Sequence, residues 1–178
     1  AVTAAFCQFH EEGLITRDVR LTNWCCALQS GISNLEVEKE DITKRTRFKV
    51  PNHKHADYVF GVLWSFAYKL EGSDEELVVA TTRPETMLGD TAVAVHPDDP
   101  RYKHMHGKFL THPFVDRRIP IITDGVLVDM SFGTGVVKVT PAHDPNDFKC
   151  GRRNGLPEIT IFTDTGKMSD DCGIFSGM

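Results

Sequence analysis

Asp144 and Asp147 stand three residues apart at the end of the run Gly133-Thr134-Gly135-Val136-Val137-Lys138-Val139-Thr140-Pro141-Ala142-His143-Asp144-Pro145-Asn146-Asp147. At a predicted helix start, two carboxylates at that interval share one face and lie next to backbone N–H groups that favour negative charge. An aspartate at the cap and another in the first turn need no further purpose. The residues just upstream ask for more. Lys138, Thr140 and His143 arrive from the preceding strand and turn, which converges a cation, a hydroxyl and two carboxylates in a small volume. A second stretch, Ala80-Thr81-Thr82-Arg83-Pro84-Glu85-Thr86, adds hydroxyls and a guanidinium from another strand end. Together these groups describe a polar pocket on a β scaffold.

Other chemistries fit the spacings less well. Gly133-Thr134-Gly135 lacks the third glycine or the Gly-Lys-Ser/Thr ending of a phosphate loop, and strand rather than helix follows it. His104 and His106 point to different faces of a helix, and Cys25-Cys26 has no Cys-x-x-Cys partner, so no metal and no cofactor are expected. Triads assemble from distant residues, so spacing leaves a Ser-His-Asp or Cys-His system open. His143 beside Asp144 is a poor start for one, because chain neighbours rarely aim at each other. Direct attack by water is favoured over a covalent intermediate.

The elements that must position these groups read as follows. Residues 3–12 form a short helix with Thr3 as cap and Gly13 as terminator, and 14–38 are short extended pieces and turns, including 21–26 and 33–37. Tyr58 to Leu70, the turn Glu71-Gly72-Ser73-Asp74 and Glu76 to Thr82 predict a β-hairpin. Pro84 to Leu88 is one or two helical turns ended by Gly89, and Thr91 to Val95 is a strand. A helix is predicted over 98–106, capped by Asp98 and closed by Gly107. Strands follow at 119–123, 126–129 and 136–140. Pro145 to Asn154 is a helix with Asp144 at its cap and Gly155 beyond its end, followed by a strand over 158–162 and a turn at 164–167. Many short strands with a few interposed helices predict a compact α+β fold, a barrel-like mixed β domain.

The 178 residues, 40% of them hydrophobic, suffice for one ordinary domain and an appendage. Five cysteines without a framework spacing read as reduced thiols. No apolar run approaches the roughly 20 residues of a membrane span. A cytoplasmic protein with no membrane partner is therefore expected. The abrupt ends suggest a piece of something larger. A net charge of −5 is a poor footprint for wrapping a nucleic acid, although basic clusters stand at Lys44-Arg45-Thr46-Arg47, Arg117-Arg118, and Lys149 with Arg152-Arg153.

The wording Thr-Thr-Arg-Pro-Glu-Thr with Thr-Pro-Ala-His-Asp-Pro-Asn-Asp resembles the editing (CP1) domain of class I aminoacyl-tRNA synthetases, and most closely its valine-specific branch. That resemblance implies hydrolysis of a mischarged tRNA, water cleaving the ester of threonine on the 3′ end of tRNA(Val); the alternatives are a module that binds the aminoacylated 3′ end without hydrolysing it, or an isoleucyl- or leucyl-type editing domain. It implies residues 1–38 as a strut from the core of a parent synthetase and 39–178 as the editing domain. In its terms Asp147 grips the α-ammonium, and Lys138 and Thr140 help recognise the threonine hydroxyl. Asp144 orients water or its neighbours, and His143, in the same motif, joins the substrate-binding residues. Thr81, Thr82 and Arg83 hold the terminal adenosine and its ester, and Phe132 stacks the adenine. The few phosphates of a single-stranded end would also reconcile the acidity with tRNA. Synthetic-site signatures are missing: His104-Met105-His106-Gly107 is not His-x-Gly-His, and Lys167-Met168-Ser169-Asp170-Asp171 lacks the second lysine of Lys-Met-Ser-Lys-Ser. ATP binding and tRNA charging are expected of the parent alone.

Overall fold

In the computed structural model of the chain, residues 1–50 and 57–178 are described. Helix α1 (Val2–Glu11) is followed by Gly13 in a left-handed conformation, but Thr3 is not its cap: Ala1 occupies that position and no side chain caps the helix. Strands β1 (Asn23–Cys25) and β2 (Ser30–Ile32) pair as a small ribbon. Ser33 then accepts from the Leu35 N–H and starts a 3-10 turn, Asn34–Glu36, where the sequence suggested an extended piece.

The predicted strand from Tyr58 to Leu70 is in fact two. β3 (Thr46–Phe48) pairs with β4 (Tyr58–Phe60), and after Gly61 the chain enters β5 (Trp64–Leu70) in another sheet. Gly61 makes the break: its φ is +74°, and a Cβ there would lie 2.6 Å from the Lys44 carbonyl oxygen.

β5 turns back into β6 (Glu76–Thr81) as the expected hairpin, and Pro84–Gly89 forms a 3-10 turn. β7 (Ala92–Val95), β8 (Phe109–Thr111), β9 (Arg118–Thr123) and β10 (Val136–Val139) complete a six-stranded sheet of order β10-β7-β9-β8-β5-β6. Only β7 and β9 run parallel. Its two edges, β6 and β10, come alongside, with the Thr134 hydroxyl donating to the Val78 carbonyl at 2.8 Å. The sheet is thus a nearly closed barrel, the α+β architecture that the strand pattern predicted.

Three local expectations gave way. Asp98 begins no helix: the Asp99 carboxylate turns the chain by accepting from the Arg101 N–H, leaving one 3-10 turn at Lys103–Met105. Residues 126–129 are not a strand, because the Asp124 carboxylate accepts from the N–H groups of Val126 and Leu127 and folds them into a turn. Residues 158–162 contribute only an isolated bridge, Phe162 to Met168.

Alternation along each strand sorts side chains inward and outward. Tyr68, Leu70, Leu77, Val79, Val93, Val95, Leu110, Ile119, Ile121 and Val136 fill the barrel. Ala92, Ala94 and Val139 face outward against Cys150 of helix α2 (Pro145–Asn154). β7, buried on both faces, is accordingly apolar at every position. Met87, Leu88, Ile161 and Cys172 form a third cluster beside it.

Candidate functional site

On the inner face of β10 the sequence steps from Val136 to Lys138 and on to Thr140, so the interior changes from apolar to polar toward one end of the barrel. A charged group there needs partners, since burying an ammonium alone is prohibitive. Lys138 has three. Its Nζ pairs with Asp90 Oδ1 at 2.9 Å and donates to Thr140 Oγ1 at 2.5 Å and Thr86 Oγ1 at 3.1 Å. Asp90 is completely buried and also accepts from the hydroxyls of Tyr68 and Thr140. Burial pushes the Asp90 carboxyl up, while the Lys138 charge and the hydroxyls pull against it. Burial, then the Asp90 charge, holds the Tyr68 phenol far above its usual range.

Above this floor opens a cavity of about 280 Å³ lined by Thr81, Thr82, Arg83, Lys138, Thr140, His143, Asp144 and Asp147, among others. Its apolar wall is Leu127 and Val137. Every candidate site residue is therefore in one place except Phe132, which precedes the run from Gly133 to Asp147. That ring is 82% exposed on the loop before β10 and does not line the cavity.

The two aspartates divide their tasks. Asp144 caps α2, its Oδ1 accepting from the N–H groups of Asn146 and Asp147 at 2.7 and 3.0 Å. Asp144→Ala is accordingly expected to cost about 1 kcal/mol of stability, measurable by denaturant unfolding. Asp147 accepts the Thr140 N–H at 2.9 Å through Oδ2, and Oδ1 takes no hydrogen bond among the described residues. Burial pushes the Asp147 carboxyl up to about 6, with the Thr140 N–H pulling down and the Asp144 charge pushing up.

Arg83 spans the rim, donating to the His143 carbonyl at 3.2 Å and to Glu85, while its own N–H donates to the Thr81 hydroxyl. The His143 ring is a wall and not a base: Nε2 accepts the Ile161 N–H at 3.1 Å. Burial, then the Arg83 and Lys138 charges, hold that ring down to about 4, so it is neutral at pH 7. Among the described residues, the cavity groups left to meet a ligand include Asp147 Oδ1, Asp144 Oδ2, the Thr82 hydroxyl, the Asn146 side-chain amide and one Arg83 nitrogen. An anion, a hydroxyl and a guanidinium around a small cavity suit a cationic amine attached to a polar ester.

Asp90 and Tyr68 carried no motif. A signal was nevertheless present, since Asp90 is a lone carboxylate between the apolar runs Met87-Leu88 and Ala92 to Val95 and demands a buried partner.

The barrel and its motifs define a class of protein. The chain belongs to the class I tRNA synthetases of the I, L, M and V group, whose family model matches residues 1–165. Relatives that it matches include valine–tRNA ligases. That of Schizosaccharomyces pombe is 61% identical over 100% of this chain and 18% of its own length. The human protein is 57% identical over 94% of the chain and 13% of its own length. The chain thus spans less than a fifth of the relatives that it matches. Among solved structures, a ternary complex of Agrobacterium radiobacter K84 LeuRS with tRNA and LeuAMS shares the fold, with a TM-score of 0.50 at 20% identity over 71% of this chain and 17% of that one. Among the described residues no helix is long and apolar enough to cross a membrane.

Proposed function

We propose that the chain is the editing (CP1) domain of a valine-specific synthetase, and that it hydrolyses Thr-tRNA(Val). Residues 1–38 are the strut to the parent enzyme's core and 39–178 the editing domain. The observation that carries this reading is Asp147: a buried carboxylate with one oxygen fixed by the Thr140 N–H and the other free toward a small polar cavity.

In this reading the threonyl α-ammonium binds Asp147 Oδ1, which holds the ester in register for attack. Arg83, Thr81 and Thr82 hold the terminal ribose and the ester. Water adds to the ester carbon, the C–O bond to the ribose breaks, and the ribose oxygen leaves with a proton, giving threonine and tRNA. Asp144, tied to two backbone N–H groups through Oδ1, keeps Oδ2 to orient that water. The threonine hydroxyl meets the polar floor, where it replaces Thr86 as an acceptor from Lys138. His143 stays neutral and shapes the wall.

The second sieve answers a limit of the first. Valine and threonine are nearly isosteric, and valine-specific synthetic sites are established to exclude threonine by only about 10²-fold. A cavity with a polar floor inverts the preference, because a threonine hydroxyl can accept from the Lys138 ammonium, a bond to a charged group worth about 1.5–3 kcal/mol net, and a valine methyl cannot. Deacylation assays on Thr-tRNA(Val) and Val-tRNA(Val) decide the matter. The threonyl ester is expected to be cleaved at least tenfold faster. Equal rates, or binding of a threonyl-adenosine mimic without turnover, would remove the hydrolytic reading.

A further inference from the structure

Trp64 opens β5 directly opposite Thr81, which lines the cavity. It falls on the same side of its strand as Phe66, Tyr68 and Leu70, the side packed into the barrel, yet it is 57% exposed. Register partners in an antiparallel ladder have Cα atoms about 4.5–5.5 Å apart, so Trp64 stands next to a lining residue without itself lining the cavity. No hydrogen bond or ring contact engages it among the described residues.

The approach to this ring is basic. Gly61, three residues earlier, packs so closely on the Lys44 carbonyl oxygen that a Cβ would sit 2.6 Å from it. The run Lys44-Arg45-Thr46-Arg47 therefore passes beside the chain that leads into Trp64. Arg47 is paired with Asp57 at 2.9 Å, whereas Lys44 and Arg45 are exposed and form no ion pair among the described residues. Phe132 is placed differently. Its loop is tied through Thr134 to Val78, three positions before Thr81 on β6 and so about 10 Å from the rim at strand spacing.

We propose that Trp64 stacks a base of the single-stranded RNA end as it leaves the cavity, and that Lys44 and Arg45 meet the phosphates of the same strand. This rests on reading the cavity as the acceptor of a tRNA 3′ end. An exposed ring near exposed cations is the combination that binds single strands without reading their sequence, since every base has a face to stack and every nucleotide a phosphate. It also localises positive charge in a chain of net charge −5.

The chain has two tryptophans, so Trp24→Phe leaves Trp64 as sole reporter. That variant is titrated with uncharged tRNA(Val) and with the same tRNA lacking its three 3′ nucleotides. Intact tRNA is expected to quench the Trp64 emission and trimmed tRNA to leave it unchanged. Trp64→Ala is expected to weaken binding of intact tRNA roughly 5- to 150-fold, with Trp64→Phe restoring most of it. Replacing both Lys44 and Arg45 with alanine lowers the slope of log affinity against log salt by about 1.4. No quenching, equal quenching by both tRNAs, or unchanged binding by Trp64→Ala overturns the proposal. Because the tRNA is uncharged, a chain that quenches but does not hydrolyse loses the esterase reading and keeps this one.

Discussion

Asp147→Asn is expected to lose Thr-tRNA(Val) deacylation by about 10²-fold or more while melting no lower than the parent at pH 7.5. The activity follows from charge: breaking a buried, hydrogen-bonded charge pair costs roughly 2–5 kcal/mol, and each 1.36 kcal/mol is about tenfold in rate. The stability follows from burial, which holds the Asp147 carboxyl at about 6. Between about pH 4, where an unfolded aspartate ionises, and pH 6, the folded chain keeps a proton that the unfolded chain releases. Stability from this group therefore falls as pH rises through that window and is flat above it. Asparagine carries no such penalty, which is at most about 3 kcal/mol for a two-unit displacement, and its amide oxygen still accepts the Thr140 N–H. Melts at pH 4.5 and 7.5 check this: the variant's advantage should appear only at the higher pH. Deacylation by the parent should decline as pH falls below about 6, with the bound ammonium drawing the midpoint lower. A variant much less stable than the parent at pH 7.5 would assign Asp147 to the scaffold.

The parts of this site that were legible in sequence are those fixed by short-range chemistry. Helix α2 could be read end to end because Asp144 caps it, Pro145 fits its first position and Gly155 takes the left-handed conformation that ends it. The β5–β6 hairpin was announced by its turn and the flanking branched and aromatic residues. What stayed hidden depends on contacts between distant segments. β8 is three residues long and exists because β5 and β9 flank it. The break at Gly61 depends on Lys44. Asp124 reads as an ordinary loop aspartate, yet it folds 126–127 into a turn and receives Arg153 at 2.7 Å from the far end of α2. Despite burial, that arginine and the backbone N–H groups hold its carboxyl down to about 2. For the site, the two motifs brought Lys138 and Thr140 to notice as groups facing a ligand. The structure adds that their donors are already committed to Asp90 and Thr86.

That commitment makes Lys138→Met the most damaging single change expected at this end of the barrel. Removing one partner of a buried pair leaves the other uncompensated, at about 3–5 kcal/mol. The abandoned group is Asp90, which keeps the Tyr68 and Thr140 hydroxyls but loses the only cation paired with it among the described residues. Burial already pushes that carboxyl up and Lys138 is the strongest pull against it, so in the variant it rises further and takes a proton in the folded state. The sign then follows: the folded chain binds a proton that the unfolded chain releases, so the variant's stability falls as pH rises from about 4 through the raised value. Its deficit against the parent should be smallest in acid and largest near neutrality, as urea unfolding at several pH values would reveal. Adding Asp90→Asn removes the stranded charge as well. The double variant should regain much of the lost stability, because a neutral pair in place of a buried ionic one is often nearly cost-free. Deacylation should not return with it, since the ammonium proposed to meet the threonine hydroxyl is gone. Additive losses in this double-mutant cycle would show that Asp90 and Lys138 act separately, and restored discrimination between threonyl and valyl esters would move the reading of the hydroxyl to another group on the cavity wall.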